Sequence, residues 1–369
     1  MPQYFNPEKD VYKGLCRCYI ASKAGGIVPP SVMDLHPVSG KCNLNCKWCI
    51  GRFERENIEP LPNILRGHNM VKALKKILPP NLKPLWTSRF HICGSDSEPL
   101  LAGNDLTISS IRFLLQRKRY IRLITNGLLL DNEELIKTIS RISDLSISLD
   151  VTNDDDYRKY KINGNTLNLA EGGYSHISNI IQRVDTYRKK YNTDLVIIVT
   201  FVATPKTYNS KNWFNCFKDL KKIGVDEIKV RDDLNKTFGL IKNLKNDINQ
   251  MNDEINDILI KYNAPDKPFK EDDFDYCRST RLWPTLAADG GLYPCAHTAN
   301  SKYEPFADLL SSDSLIDVYQ KSFYQQIKRF SKISDIGCER QCPPTIGSFN
   351  NPVDVLKILN NTTNISALV

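Results

Sequence analysis

The chain has 369 residues, 41% hydrophobic and 25% charged, proportions of a folded globular protein and not of a disordered, collagen-like or coiled-coil chain. That length gives one large domain or two ordinary ones, with a core that needs no staples. Lys and Arg number 50 against 42 acids, a net charge of +8, but the basic residues are spread over helical patterns, so no nucleic-acid partner is expected.

Residues 1–33 read as an N-terminal extension; MPQYFNPEKD lacks the basic region and apolar stretch of a secretory signal. From 34 to 235, short apolar runs alternate with amphipathic stretches. The strand-like runs are Asp34 to Ser39, Arg89 to Cys93, Ile121 to Thr125, Leu145 to Leu149, Leu195 to Val202 and Glu227 to Val230. Helical patterns begin at Asn69, Leu106, Asn132, Tyr174 and Ser210, with apolar positions recurring at three and four. Asp131 is expected to cap the third, whose first turn carries Glu133 and Glu134. These alternations predict an α/β fold of parallel units with right-handed crossovers, a partial (β/α)6 TIM-type barrel short of the eight units of a complete one. Ligands bind such folds in the loops after the strands' carboxyl ends.

Residues 236–269 read as a long polar helix, Leu240 to Tyr262, and a Pro- and acid-rich linker. Residues 270–346 form a small cysteine-rich C-terminal domain with a hairpin from Ala287 to Cys295 turned by Asp289-Gly290-Gly291, and 347–369 a tail. Apolar burial alone does not hold a module of that size together. The longest apolar run, Leu195 to Ala203, is about half the roughly 20 residues of a membrane span. A cytoplasmic protein with no membrane partner is expected.

The chain contains 11 cysteines, many for a compartment that keeps thiols reduced, and thiols that numerous point to metal. Cys42, Cys46 and Cys49 follow the first strand with the spacing Cys-x3-Cys-x2-Cys. A structural zinc site requires a closed set of four ligands. A [4Fe-4S] cubane on three thiolates instead leaves one iron open to a small molecule. A second set, Cys277, Cys295, Cys338 and Cys342, offers four thiols whose spacing suits zinc or a second cubane equally, and either would supply folding energy there.

The three-cysteine loop after strand one of a β/α series resembles the radical S-adenosylmethionine (radical SAM) superfamily. The resemblance implies that SAM chelates the open iron and that one-electron reduction cleaves it to a 5'-deoxyadenosyl radical. After strand two, CGSDSEPLL from Cys93 resembles the family's Gly-Gly-Glu-Pro loop beside the SAM amino group: Gly94, Glu98 and Pro99 match, while Ser95, Asp96 and Ser97 depart from it. Asn126 after strand three, Ser148 and Asp150 at the end of strand four, and Arg158 fall where SAM ribose and carboxylate contacts are implied; Trp48 matches an aromatic beside the adenine. Residues 277 to 295 are similar to the start of SPASM and twitch extensions, which implies an auxiliary [4Fe-4S] cluster on Cys277, Cys295, Cys338 and Cys342.

The resemblance implies hydrogen-atom abstraction fed by a low-potential electron donor such as flavodoxin or ferredoxin. Arg231 and Asp232, after strand six, face the same mouth and suit a small polar substrate, sugar-like or amino-acid-like, that is dehydrogenated or epimerised. Cys93 is the best placed thiol to return a hydrogen atom. The alternative is a maturase that oxidises, cross-links or epimerises a ribosomally made peptide. A non-catalytic iron-sulfur scaffold is the remaining reading.

Overall fold

The computed structural model describes residues 30, 32–80, 87–162, 173–232, 241, 243–255, 258–262, 283–311 and 315. Cys16, Cys18, Cys277, Cys338 and Cys342, and with them the expected linker, tail and most of the N-terminal extension, lie outside these residues.

Strand β1 (Val32–Leu35) leads through the cysteine loop into α1 (Ile50–Asn57) and α2 (His68–Ile77). Then come β2 (Arg89–Ile92), a 3-10 turn (Pro99–Ala102), α3 (Asn104–Gln116), β3 (Tyr120–Thr125), α4 (Glu133–Ile139) and β4 (Asp144–Ser148). A helical turn at Asp154–Asp156 runs into a π-helix at Tyr157–Ile162. Next are α5 (Gly173–Tyr191), β5 (Val196–Ala203), α6 (Ser210–Lys222), β6 (Glu227–Asp232), α7 (Leu244–Glu254) and β7 (Leu259–Tyr262). Three short strands close the described chain: β8 (Thr285–Leu286), β9 (Gly291–Tyr293) and β10 (Ala307–Asp308). The sheet order is β10-β9-β8-β1-β2-β3-β4-β5-β6-β7. Every pairing from β8 through β1 to β7 is parallel; β9 alone runs the other way, antiparallel to both β8 and β10.

The expected parallel α/β alternation is present, with two differences. The stretch expected as one helix from Leu240 to Tyr262 divides into α7 and β7, and β7 extends the sheet from β6. Ile255, Ile258 and Ile260 are buried at spacings that also fit a helix, and a four-residue edge strand is too short to reveal its alternation. The hairpin of β8 and β9 forms as expected, but β8 joins β1, placing Thr285 opposite Asp34 and Leu286 opposite Leu35. The α4 cap is Asn132, whose side chain accepts the Leu135 N–H at 3.0 Å, in place of Asp131; the helix starts one residue later than its sequence pattern.

One sheet face is apolar and the other polar. Met33, Leu35, Phe90, Ile92, Ile121, Leu123, Leu145 and Ile147 share a core with Leu74 and Ile77 of α2, Ile111 and Leu114 of α3, and Leu135 and Ile139 of α4. Their strand neighbours Asp34, Arg89, His91, Asp144 and Ser146 are buried too, and strand alternation turns them to the opposite face. There Asp144 accepts Arg89 Nη2 at 3.2 Å and Arg122 Nε at 2.8 Å. Arg89 Nε donates to His91 Nε2 at 2.8 Å, and His91 Nδ1 meets Asp34 Oδ1 at 3.1 Å. His91 is thereby the Nδ1–H tautomer, with its pKa lowered by burial first and by the Arg89, Arg122 and Lys229 cations. A parallel sheet covered by helices alone is apolar on both faces; this polar face marks the side on which function is sought.

Candidate cofactor site

The segment between β1 and α1 is fixed from three sides. Ser39 Oγ and the Gly40 N–H donate to Asp96 Oδ2 at 3.1 and 2.7 Å. From the loop after β2, the Glu98 N–H donates to the Lys41 carbonyl at 2.9 Å, and Ser97 Oγ donates to the Val38 carbonyl at 2.6 Å. From the π-helix, the carbonyls of Lys161 and Tyr160 accept the N–H groups of Asn45 at 2.9 Å and Lys47 at 3.1 Å. The loop after β2 also lies against the start of α1: a Cβ on Gly51 would stand 2.1 Å from the Ser95 carbonyl oxygen, and one on Gly94 would stand 2.3 Å from Ser97 Oγ. Only glycine permits either approach.

Cys42, Cys46 and Cys49 are free thiols at intermediate exposure. Burial pushes the Cys46 thiol up to about 12; Asp150, Cys49 and Cys42 add to the rise and Lys161 opposes it. Cys42 is raised as well, chiefly by burial, against the Leu44 N–H, which donates to its sulfur at 3.4 Å. Asn126 Nδ2 stands 3.9 Å from Cys42 Sγ, and Arg55 Nη1 stands 4.0 Å from Cys49 Sγ. Neighbouring thiols, Cys42 and Cys46 among them held protonated chiefly by burial, with N–H donors at Cys42 and Cys49, suit a cationic metal centre, whose charge reverses that preference. They fit a three-thiolate iron-sulfur cluster, because the donors stabilise sulfur charge.

The other residues singled out in the sequence fall in two groups. Glu98 joins the loops after β2 and β3: it accepts the Thr125 hydroxyl at 2.6 Å, the Asn126 N–H at 2.8 Å and the Leu100 N–H at 3.2 Å. Burial raises its pKa while those donors lower it. Asn126 carries on to Asn43 Oδ1 at 2.7 Å, which ties the β3 loop to the cysteine loop. Trp48 lies partly buried, its ring 6.1 Å from that of Tyr160. Asp150 adopts φ 63° and accepts the Val202 N–H at 2.9 Å; Ser148 Oγ accepts the Thr200 hydroxyl at 3.4 Å. All of these surround the cysteine loop or the ends of β4 and β5.

The second group is spread over other elements. Arg158 is exposed and paired with Asp155 at 3.3 Å. Arg231 is exposed near the end of β6, and the backbone of Asp232 closes that strand opposite Ala203. Cys93 is buried on the polar face, and Cys295 is buried beside Thr298. Lys161 carried no sequence signal. Its Nζ donates to the Ser148 carbonyl at 2.5 Å and to Asp150 Oδ2 at 2.8 Å. Burial pulls its pKa down, but Asp150, Cys46 and Tyr157 override that and hold it above the usual lysine range. In sequence Lys161 is one of several basic residues in RKYK, and nothing local separates the buried one.

The fold and this site define an α/β protein with a three-thiol loop at the carboxyl edge of a parallel sheet, polar hydrogens reaching two of the sulfurs. No known family profile matches the sequence, and a search of curated proteins gives no significant match. Among solved structures, Streptococcus suis SuiB bound to S-adenosylmethionine matches at TM-score 0.60 and 14% identity, covering 88% of this chain and 75% of that one. Native anSMEcpe with bound AdoMet matches at TM-score 0.55 and 15% identity, covering 92% and 98%. SuiB bound to precursor peptide SuiA and anSMEcpe with AdoMet and the Cp18Cys peptide match at TM-scores 0.54 and 0.53. The chain shares the fold of these S-adenosylmethionine-binding proteins.

Proposed function

We propose that this chain is a radical SAM enzyme that modifies a peptide. The observation that carries the reading is that Cys42, Cys46 and Cys49 share one loop, which is held to the loops after β2 and β3 and to the π-helix. The peptide substrate is supported by the fold shared with SuiB and anSMEcpe, both of which have been seen with peptides bound. It takes precedence over the small polar substrate that Arg231 and Asp232 suggest from sequence.

In this reading the sheet with its helices is a partial barrel, and the three cysteines would hold a [4Fe-4S] cluster that leaves one iron for SAM. The bound group supplies one-electron cleavage of SAM and hydrogen-atom abstraction. The chain's own residues position it. Asn126 and Arg55 set polar hydrogens toward Cys42 and Cys49. Glu98 holds the β2 and β3 loops at one spacing, so the surface below the cysteines is rigid before any ligand arrives. Lys161 offsets negative charge beneath Cys46. Trp48, Gly94, Ser95, Ser148 and Asp150 would line the position of SAM, and a flavodoxin or ferredoxin would supply the electron. Cys277, Cys295, Cys338 and Cys342 hold an auxiliary cluster in a twitch-like C-terminal region.

Anaerobic reconstitution, reduction and addition of SAM test this. The expected result is 5'-deoxyadenosine from the wild type and none from Cys46→Ala; absence from the wild type overturns the enzyme reading. Iron and sulfide of about eight each per chain support two cubanes, and about four each opposes the auxiliary cluster. Synthetic peptides matching short reading frames encoded beside this chain are expected to become lighter through hydrogen loss or to change configuration. Peptides left unaltered while 5'-deoxyadenosine accumulates return the substrate to the small polar class.

A further inference from the structure

On the polar face three donors of different chemistry converge. Asp34 of β1, His36 just after it and Cys93 just after β2 are buried, and their ligand atoms all lie within 4.8 Å of one another. Asp34 and His36 alternate along one strand direction, and Cys93 follows Ile92, which pairs with Leu35 between them. The parallel register therefore brings all three to one point.

We propose that Asp34, His36 and Cys93 form a mononuclear site for a divalent transition metal, best suited to Zn2+. His36 is 3% exposed, and its Nε2 makes no hydrogen bond to any described residue. A buried polar atom without a partner is costly and calls for an explanation; a metal ion supplies one. Asp34 is held for ligation: its Oδ1 accepts Trp283 Nε1 at 2.7 Å and meets His91 Nδ1 at 3.1 Å, and neither bond uses Oδ2. Such hydrogen bonds orient a ligating carboxylate. The Cys93 thiol has only a weak contact, 3.7 Å to the His91 carbonyl. Tetrahedral zinc spaces its ligand atoms roughly 3.5 Å apart, so modest side-chain rotations close the set.

The electrostatics agree. Burial, with the nearby His297, lowers His36 to about 3, which keeps the imidazole neutral and able to ligate. Burial raises Asp34 to about 7 and Cys93 well above the ordinary thiol value. A dication compensates the burial of both anions, and its binding releases their protons. One carboxylate, one imidazole and one thiolate suit zinc and not Mg2+ or Ca2+, which take oxygen ligands. With three protein donors, a fourth position remains for water or for an oxygen of a bound substrate. The site lies at the carboxyl ends of β1 and β2, the edge at which ligands meet this class of sheet. It assigns Cys93 a metal and removes it from the hydrogen-donor role expected from sequence.

The site stands independently of the radical chemistry, and so does its test. The full chain, with clusters reconstituted anaerobically, is incubated with Zn2+, desalted, and analysed for zinc, iron and sulfide beside Asp34→Asn and His36→Gln. The wild type is expected to keep one zinc per chain more than either variant at unchanged iron and sulfide. Equal zinc in all three overturns the site. Where a variant also loses iron, X-ray absorption at the zinc edge of the wild type decides: a shell with nitrogen and oxygen beside sulfur upholds the site, and an all-sulfur shell or absent zinc overturns it.

Discussion

Lys161 and Asp150 form an ion pair at 2.8 Å with both side chains almost wholly buried. Such a pair contributes little by existing, but losing one partner strands a charge out of water. Asp150→Asn is expected to lower unfolding free energy by about 3–5 kcal/mol, read by denaturant titration. The folded pKa of Lys161 lies above its ordinary 10.5, so the folded state holds this proton more tightly than the unfolded chain. The stabilisation is complete below 10.5 and is lost as pH climbs through the raised folded value. The gap between wild type and Asp150→Asn should therefore persist at neutral pH and close on the alkaline side. A gap independent of pH would remove Lys161 from the pair. Asp150 could be singled out in the sequence by its place at the end of a strand-like run. Lys161 could not, because burial of one lysine among several basic neighbours depends on where the π-helix docks.

Among the secondary-structure elements, two sets of substitutions separate what local sequence controls from what packing controls. Asn132→Ala removes the acceptor for the Leu135 N–H at the start of α4 and is expected to cost about 1 kcal/mol. Asp131→Ala should cost less than about 0.5 kcal/mol, as at an ordinary surface position. Equal losses in thermal melts would contradict the observed cap. Gly51→Ala places a methyl group 2.1 Å from the Ser95 carbonyl, and overpacking of this kind costs about 1–3 kcal/mol. Because the displaced segment holds Asp96 and Glu98 against the cysteine loop, reconstituted iron per chain should fall with stability. Iron retained at the wild-type level would show that the loop tolerates the shift. The cap of α4 and the cysteine spacing are legible in sequence to within a residue, since each involves neighbours. The approach of the β2 loop to the cysteine loop joins residues as distant as Asp96 and Gly40, 56 positions apart, and leaves no periodic trace.

Across the whole molecule, the sheet is completed from both directions: β7 extends it beyond β6, and β8 adds from the far end of the chain beside β1. Trp283, 249 positions from Asp34, donates its indole N–H to that buried carboxylate. Trp283→Phe keeps most of the ring and deletes the donor, so about 1–3 kcal/mol of destabilisation is expected, measured by equilibrium unfolding; a neutral result would mean that water replaces the bond. The parallel β/α alternation and the three-cysteine loop can be read from the chain before it folds, because apolar period and ligand spacing are properties of contiguous residues. Three features emerge only on folding: Lys161 lies beneath Cys46, β8 pairs with β1, and Asp34, His36 and Cys93 meet. Those contacts depend on strand register and on which face each alternating side chain takes, and both are fixed only when distant segments pack together.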